Sequence, residues 1–384
     1  MKIEDFKSGY FLTQDSYKYF KPEPINHSWR WEDTELNILL ERANRSLGGL
    51  SSYSELIPNI DIYIRLHIKT EAHKSNKIEG TKTSIQEEMM KVEDVSPERR
   101  NDHIEVENYI AALDHGINRI SVDDFPLSIR LINEIHEVLL KGVRGEHKTP
   151  GEIRRSQNWI GGSMPSTAAF VPPIHQLVPE LLSDLERFIH NEKIQVPDLI
   201  KLAIIHYQFE TIHPYQDGNG RIGRLIVPLY LLNYRILSKP CFYISDYFER
   251  NRILYYSHLN NVRFNNKLMD WIKFFLRAVI DTSETAKLKF QKVVDYVSNN
   301  NSLQYQLTGR PENISKVLQS FYNNPLSDIN SIAAQTNLSR NAINNIVRQL
   351  VQQNIIIELT GYSRNRIFLL HEYFNIFTSD YKIE

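Results

Sequence analysis

Apolar residues recur at steps of three and four along most of this chain, and a period near 3.6 fits a helix and not a pleated strand. Leu36, Leu39, Leu40 and Ala43 fall on one side of 34–48. Ile60, Ile64, Ile68 and Ala72 run at i+4 steps through 57–79, where Gly80 offers a stop. The spacing predicts further helices over 84–98, 101–119, 126–141, 177–190, 198–212, 221–234, 246–261 and 267–296. Pro197 suits the start of the 198–212 helix. Residues 1–32, polar and aromatic with Pro22 and Pro24, are expected as an irregular arm.

Three later stretches break this pattern. Residues 142–175 hold Gly142, Gly145, Gly151, Gly161 and Gly162 with Pro150, Pro165, Pro172 and Pro173. A long loop of this kind inside a helical protein usually carries function. Residues 297–310 are polar and are expected as a linker. Beyond it, 314–322, 328–336 and 339–354 read as helices, and 355–359 and 366–370 flank Gly361-Tyr362-Ser363 as a hairpin. Three helices and a hairpin make a winged helix-turn-helix. The expected division is a helical region over 1–115, a core over 116–296, the linker, and a winged-helix-like domain over 311–384.

Composition excludes several classes. Among 384 residues the net charge is −1, so no global field draws in nucleic acid or anionic lipid. Cys241 is the only cysteine, which rules out an internal disulfide. The first twenty residues lack the apolar run of a secretory signal. The most apolar segment, 225–237, is too short to span a membrane and contains Asn233 and Arg235. These features predict a soluble cytoplasmic protein of two or three domains.

The densest chemistry lies in 213–224, His-Pro-Tyr-Gln-Asp-Gly-Asn-Gly-Arg-Ile-Gly-Arg. Gly218-Asn219-Gly220-Arg221-Ile222-Gly223 has the form G-x-G-x-x-G, but that dinucleotide fingerprint needs a preceding strand, and here a helical pattern precedes it. The glycines still let backbone approach phosphate and offer free N–H groups at a helix start. Arg221 and Arg224, three apart, share a face and can reach one polyphosphate. As cations at a helix N-terminus they oppose its dipole, a conflict that an anion resolves. Asp217 is a candidate Mg²⁺ ligand, since Mg²⁺ takes one or two carboxylates with phosphates and water. His213, held between a helix and Pro214, is a candidate general base. A lone histidine is more often a packing residue; the setting favours catalysis for His213, while His206 is expected to be a satisfied structural histidine.

His-Pro-Tyr-Gln-Asp-Gly-Asn-Gly-Arg-Ile-Gly-Arg resembles the core signature of the Fic family, with Tyr215 where Phe is usual. The resemblance covers roughly 30–285. It implies an all-α Fic-type helical core with a small β-hairpin flap. It also implies a protein adenylyltransferase that moves AMP from ATP to a hydroxyl of a target protein or of itself, releasing pyrophosphate. In that reading His213 takes the proton of a Ser, Thr or Tyr hydroxyl. Asp217 holds Mg²⁺, and Gly218, Asn219 and Gly220 form the anion hole. Arg221 and Arg224 steady the outer phosphates, with Ile222 and Gly223 between them. Residues 151–162 resemble the segment leading into the flap, so that Ile160, Gly161, Gly162 and Ser163 would lie on the nucleotide and Phe170-Val-Pro-Pro173 would close the flap. Tyr255 and Tyr256 resemble an aromatic pair near the adenine; helix packing is the competing reading.

Ser75-Asn-Lys-Ile-Glu79-Gly80 resembles the family's inhibitory helix motif, (S/T)xxxE(G/N). It implies that Glu79 pairs with Arg224 and blocks the γ-phosphate position, with Ser75 holding the helix. Some relatives use this glutamate to remove AMP. Transfer of another phosphate-containing group, or a non-enzymatic nucleotide-sensing regulator, are the alternatives. In the C-terminal module, seven positives (Arg310, Lys316, Arg340, Arg348, Arg364, Arg366, Lys382) face six acids (Glu312, Asp328, Glu358, Glu372, Asp380, Glu384). That is a poor footprint for DNA, although Arg364 and Arg366 could touch phosphate; protein contact or a homodimer is favoured.

Overall fold

The computed structural model describes residues 1–14, 16–57, 59–143, 145–300, 302–361 and 366–379. A hairpin, β1 (Gly9–Gln14) and β2 (Tyr17–Pro22), precedes helices α1 (Thr34–Leu56), α2 (Ile60–Glu79), α3 (Ile85–Met89), α4 (Arg100–Ser121) and α5 (Ile129–Leu139). After the Gly/Pro-rich loop come α6 (Val178–His190), α7 (Asp198–Ile212), α8 (Asn219–Asn233), α9 (Ser245–Arg250), α10 (Arg252–Asn265) and α11 (Leu268–Asn300). The chain continues through α12 (Leu303–Gln306), α13 (Pro311–Asn323), β3 (Leu326–Asp328), α14 (Ile329–Thr336), α15 (Arg340–Gln352), β4 (Ile357–Glu358), β5 (Ile367–Leu369) and α16 (His371–Thr378).

Every residue of α7 after Asp198 is buried. A helix without a solvent face has to lie at the centre of its layer stack, and α1, α6, α8, α11 and β2 pack around it. Trp271 of α11 donates its indole N–H to Ala203 O at 2.8 Å, tying the longest helix to this centre. Helix α8 also packs on α4 and α5. At the α4–α8 crossing, a Cβ on Gly116 would stand 2.9 Å from both Leu229 methyls and 3.0 Å from Ile135 Cδ1.

Helix α2 lies against α4, α8 and α9, and its other neighbours are α13 and α16. Its buried Glu71 accepts from Tyr109 Oη at 3.0 Å and from Ser245 N at 3.1 Å, so one carboxyl braces three helices. Gly80 ends α2 in the left-handed region, its N–H returning to Asn76 O and Lys77 O. Lys91, after α3, pairs with Asp328 at 2.7 Å, and Asp328 caps α14. The C-terminal helices carry a three-stranded antiparallel sheet of order β3-β5-β4.

Several expectations change. Residues 1–32 are not an irregular arm. β1 and β2 pair in register from Gly9–Pro22 to Gln14–Tyr17, and Phe20 donates its N–H to Val171 O at 2.9 Å. Phe20 is fully buried and Phe11 stacks on Phe264. Those partners lie far away in sequence, so no local pattern marks the hairpin. Helix α1 runs past Gly48 to Leu56 because Leu47, Leu50 and Ser54 extend its buried stripe, and α1 packs on α11. The stretch 84–98 is a five-residue helix and two 3₁₀ turns, the second opened by Pro97. The stretch 246–261 is two helices that break at Asn251. The expected linker is largely structured: α11 continues to Asn300, α12 follows, and Leu303 and Leu307 are buried. The tip of the C-terminal hairpin, including Tyr362, Ser363 and Arg364, lies outside the described residues.

The Gly116 crossing has room for no side chain. Gly116→Leu is expected to force α4 from α8 and cost about 1–3 kcal/mol, read as a lowered midpoint in urea unfolding with an unchanged slope.

Candidate active site

Helix α7 stops where Pro214 forbids its continuation. His213 takes the left-handed conformation at φ 52° and returns its N–H to Phe209 O. The loop that follows is held from all sides. Tyr215 is fully buried; its hydroxyl donates to Asn133 Oδ1 at 2.6 Å and its ring stacks on His136 with centroids 3.8 Å apart. Asn219 closes the loop, accepting from Tyr215 N and donating to Tyr215 O, both at 2.8 Å. Its side chain therefore shapes the turn, leaving only its backbone for an anion. Gly218 sits at φ 77°, a conformation that admits glycine readily, and opens α8. The first helical bond of α8 runs from Ile222 N to Gly218 O, so the amides of Asn219, Gly220 and Arg221 precede it.

Sequence reasoning missed the residues that hold this loop. Arg154 is 2 % exposed, and its guanidinium donates to His213 O at 2.9 Å, to Ser156 O, Ile212 O and Pro173 O. Its own N–H goes to Pro214 O. Asn158 donates to His213 O at 3.1 Å and Tyr215 O at 2.7 Å. Arg263 donates to Glu210 O at 3.0 Å and lies 4.0 Å over the Phe170 ring. Their types were the available signal: Arg154 and Asn158 sit in the segment singled out before the flap, but nothing local says that they turn inward.

His213 is half-buried, and Nδ1 lies 3.4 Å from Glu210 O. Burial, with Arg263 and Arg154 nearby, pushes its imidazole down to about 3, so the ring is neutral at pH 7. With Nδ1–H turned to a carbonyl, Nε2 keeps the lone pair a general base needs. Asp217 accepts from Gly218 N at 2.6 Å, and its side chain is 46 % exposed. One carboxylate at an open mouth beside helix amides fits Mg²⁺ shared with phosphates. No group of three or more His, Cys, Asp or Glu arranged for a metal occurs among the described residues.

Both motif arginines are buried and paired, Arg224 with the acid that the resemblance names and Arg221 with an acid that the sequence did not single out. Arg221 meets Glu105 at 3.2 Å, Asn76 Oδ1 at 3.3 Å and Asp217 at 3.5 Å. Arg224 donates from Nε to Ser75 Oγ at 2.8 Å and from Nη2 to Ser75 O at 3.0 Å and Glu79 Oε1 at 2.6 Å. Carboxylates from α2 and α4 resolve the conflict with the helix dipole that an anionic ligand was expected to resolve. Burial pushes the Glu79 carboxyl up, but Arg224 outweighs it and holds the group below its ordinary value.

Ile160 pairs with Phe170 in a single antiparallel bridge, N–H to O at 2.9 Å, with Gly161, Gly162 and Ser163 exposed beyond it. The flap is thus a one-bridge hairpin closed by a 3₁₀ turn, Pro165–Thr167. Tyr255 and Tyr256 part company. Tyr255 is 1 % exposed and its hydroxyl lies 2.9 Å from His206 Nε2, whereas Tyr256 is half-exposed. Packing thus accounts for Tyr255. His206 is the satisfied histidine expected, its Nδ1 3.0 Å from Gly223 O. Ile222 and Gly223 are buried. In the C-terminal module Arg366 is tied to Glu358 and Asn344.

A helical core thus brings helix amides, a carboxylate, a neutral imidazole and buried arginines together at the start of α8. Residues 38–118 match the Fic/DOC family N-terminal region and 126–231 match the Fic/DOC family. The chain thus carries a Fic/DOC N-terminal region followed by a Fic/DOC domain. It is 31% identical over 185 residues to a probable protein adenylyltransferase of Aquifex aeolicus, covering 47% of this chain and 46% of that protein. It is 28% identical over 187 residues to a protein adenylyltransferase of Aedes aegypti, covering 47% of this chain and 33% of that one. The chain thus spans less than half the length of these curated relatives. Its fold is similar to a crystal structure of a Fic family protein from Desulfovibrio desulfuricans, with a TM-score of 0.55, 20% identity, and 90% of this chain and 98% of that one covered. A Fic domain containing signaling protein from Bacteroides thetaiotaomicron gives 0.51 at 18% identity, covering 66% and 96%.

Two outcomes are expected. Arg154→Ala leaves the buried carbonyls of 212 and 173 without donors and His213 O with Asn158 alone, at about 1–3 kcal/mol for each group left unpaired; thermal unfolding reads it. His136 accepts Gly151 N–H at Nδ1 (2.8 Å) and faces Asp217 O with Nε2 (3.0 Å), and burial holds it at about 4 against an ordinary 6.5. A lowered histidine means that the unfolded chain binds the proton first. Stability from this group is full above pH 6.5 and is lost as pH falls toward 4, by up to about 3 kcal/mol. Urea unfolding at pH 7 and 4.5 should show a smaller acid loss in His136→Gln than in the parent.

Proposed function

We propose that this chain is a protein adenylyltransferase that moves AMP from ATP to a hydroxyl of a target protein, or of itself, and that its resting state is self-inhibited. One observation carries the reading. A Cβ on Gly220 would stand 2.4 Å from Glu79 Oε1, so the Glu79 carboxylate lies against the first turn of α8 while it holds Arg224. A carboxylate there takes the place that helix amides and a guanidinium would offer a phosphate.

In the reaction, the target hydroxyl oxygen bonds to the α-phosphorus and the bond from that phosphorus to the pyrophosphate oxygen breaks. The hydroxyl proton goes to Nε2 of His213, whose neutral state leaves that atom free to accept it. Asp217 would hold Mg²⁺, which when bound offsets phosphate charge. The amides of Asn219, Gly220 and Arg221 point their dipoles at the phosphate oxygens, and Arg224 takes the outer phosphate once Glu79 leaves. Arg154 and Asn158 keep the His213 backbone fixed during the exchange, which protects the orientation of the imidazole. Gly161, Gly162 and Ser163 border the nucleotide, with Tyr256 beside the adenine. Residues 311–384 are read as a winged helix-turn-helix for protein contact.

With labelled ATP and Mg²⁺, Glu79→Gly is expected to incorporate more label into protein than the parent, by about 5- to 150-fold, the usual span of coupling between sites. Adding His213→Ala should remove about 10²–10⁴ of that rate while nucleotide binding persists. Mass spectrometry of the product names the group transferred. A group other than AMP, or label unchanged by His213→Ala, would reject this reading.

A further inference from the structure

Two carboxylates lie along one face of α8. Gly220 and Gly223 are one turn apart, and each leaves room for an acid. Glu79 Oε1 lies 2.4 Å from a Cβ placed on Gly220, and Glu210 Oε1 lies 2.2 Å from one placed on Gly223. The first acid comes from α2 and the second from α7. Arg224 follows directly on the same helix, its side chain 1 % exposed. Its observed donors go to Ser75 and Glu79.

Glu210 is 5 % exposed, and its Oε1 makes no hydrogen bond among the described residues. Burial raises its carboxyl to about 7; Arg224 and Arg263 hold it back, and the negative charge of Glu79 adds to the rise. The mechanism above gives its side chain no task. A buried acid with an orphaned oxygen is costly to keep, and an arginine stripped of its acid at a site this dry is costlier still.

We propose that Glu210 is a positioning residue, the acceptor to which Arg224 turns when Glu79 is withdrawn, holding the guanidinium along α8 until a triphosphate arrives. The inference rests on the reading that Glu79 leaves Arg224 in the active state. Withdrawal of Glu79 removes its like charge, so Glu210 gives up its proton more readily and meets the freed guanidinium as a carboxylate. Arg224 is 1 % exposed, and Glu79, at 36 %, is the side of the pair that borders solvent. Arg224 therefore exchanges one acid for another rather than losing its counter-charge, and the barrier to activation falls.

The test is a double-mutant cycle on the full chain, with Glu79→Gly, Glu210→Gln and both, followed by thermal unfolding with and without Mg²⁺ and ATP. Glu210→Gln is expected to shift Tm little while Glu79 is present, and by about 4 °C or more in the Glu79→Gly background. ATP should stabilise the double variant more than Glu79→Gly alone, because the triphosphate then supplies the missing negative charge. Equal Tm losses in the two backgrounds, or equal stabilisation by ATP, would overturn the proposal. Should Glu210→Gln fail to fold, Gly223→Ala in both backgrounds asks the same question, since its methyl displaces Oε1. Failure of Glu79→Gly to raise transfer would instead count against the adenylyltransferase reading, so the two failures are separable.

Discussion

The carbonyls at the end of α7 are the constraint around which the site is organised. Pro214 ends the helix inside the protein, away from water, so Glu210 O, Ile212 O and His213 O must find donors that no continuing helix supplies. Arg154, Asn158 and Arg263 provide them from two remote segments. Each of these side chains also touches the flap region or its approach: Arg154 reaches Pro173 O, and Arg263 lies under Phe170. The same bonds that satisfy a helix end therefore fix the imidazole and the base of the flap relative to each other.

A second constraint is electrostatic. Arginines in the opening turns of α8 sit at the positive end of its dipole, and their burial forbids relief by solvent. In this state the relief is internal, with Glu105 on Arg221 and Glu79 on Arg224. Such pairs stabilise the structure modestly as wholes, but each is expensive to break from one side. A site built this way does not rest open.

Much of this was legible in the sequence. Helix α7 was bounded correctly by Pro197 and Pro214, and the pairing of Ser75 and Glu79 with Arg224 follows the short motif at 75–80. What could not be read were features set by distant contacts. The β1–β2 hairpin depends on Val171 and Phe264, the inward turn of Arg154 depends on carbonyls sixty residues away, and the continuation of α1 past Gly48 depends on α11. The partners of Arg221 have the same origin. Spacing gives the face of α8 on which this arginine lies, but not that α2 and α4 cover that face.

Helix α2 is about 30 Å long at 1.5 Å per residue. Its last turn sets Ser75 and Glu79 on Arg224, and it packs against α13 and α16 of the C-terminal module. Lys91, a dozen residues past Glu79, is anchored on the cap of α14. A rod so fixed cannot slide or tilt at one end and stay put at the other. The stretch that places Ser75 and Glu79 on Arg224 is therefore continuous with the surface that α2 shares with α13 and α16.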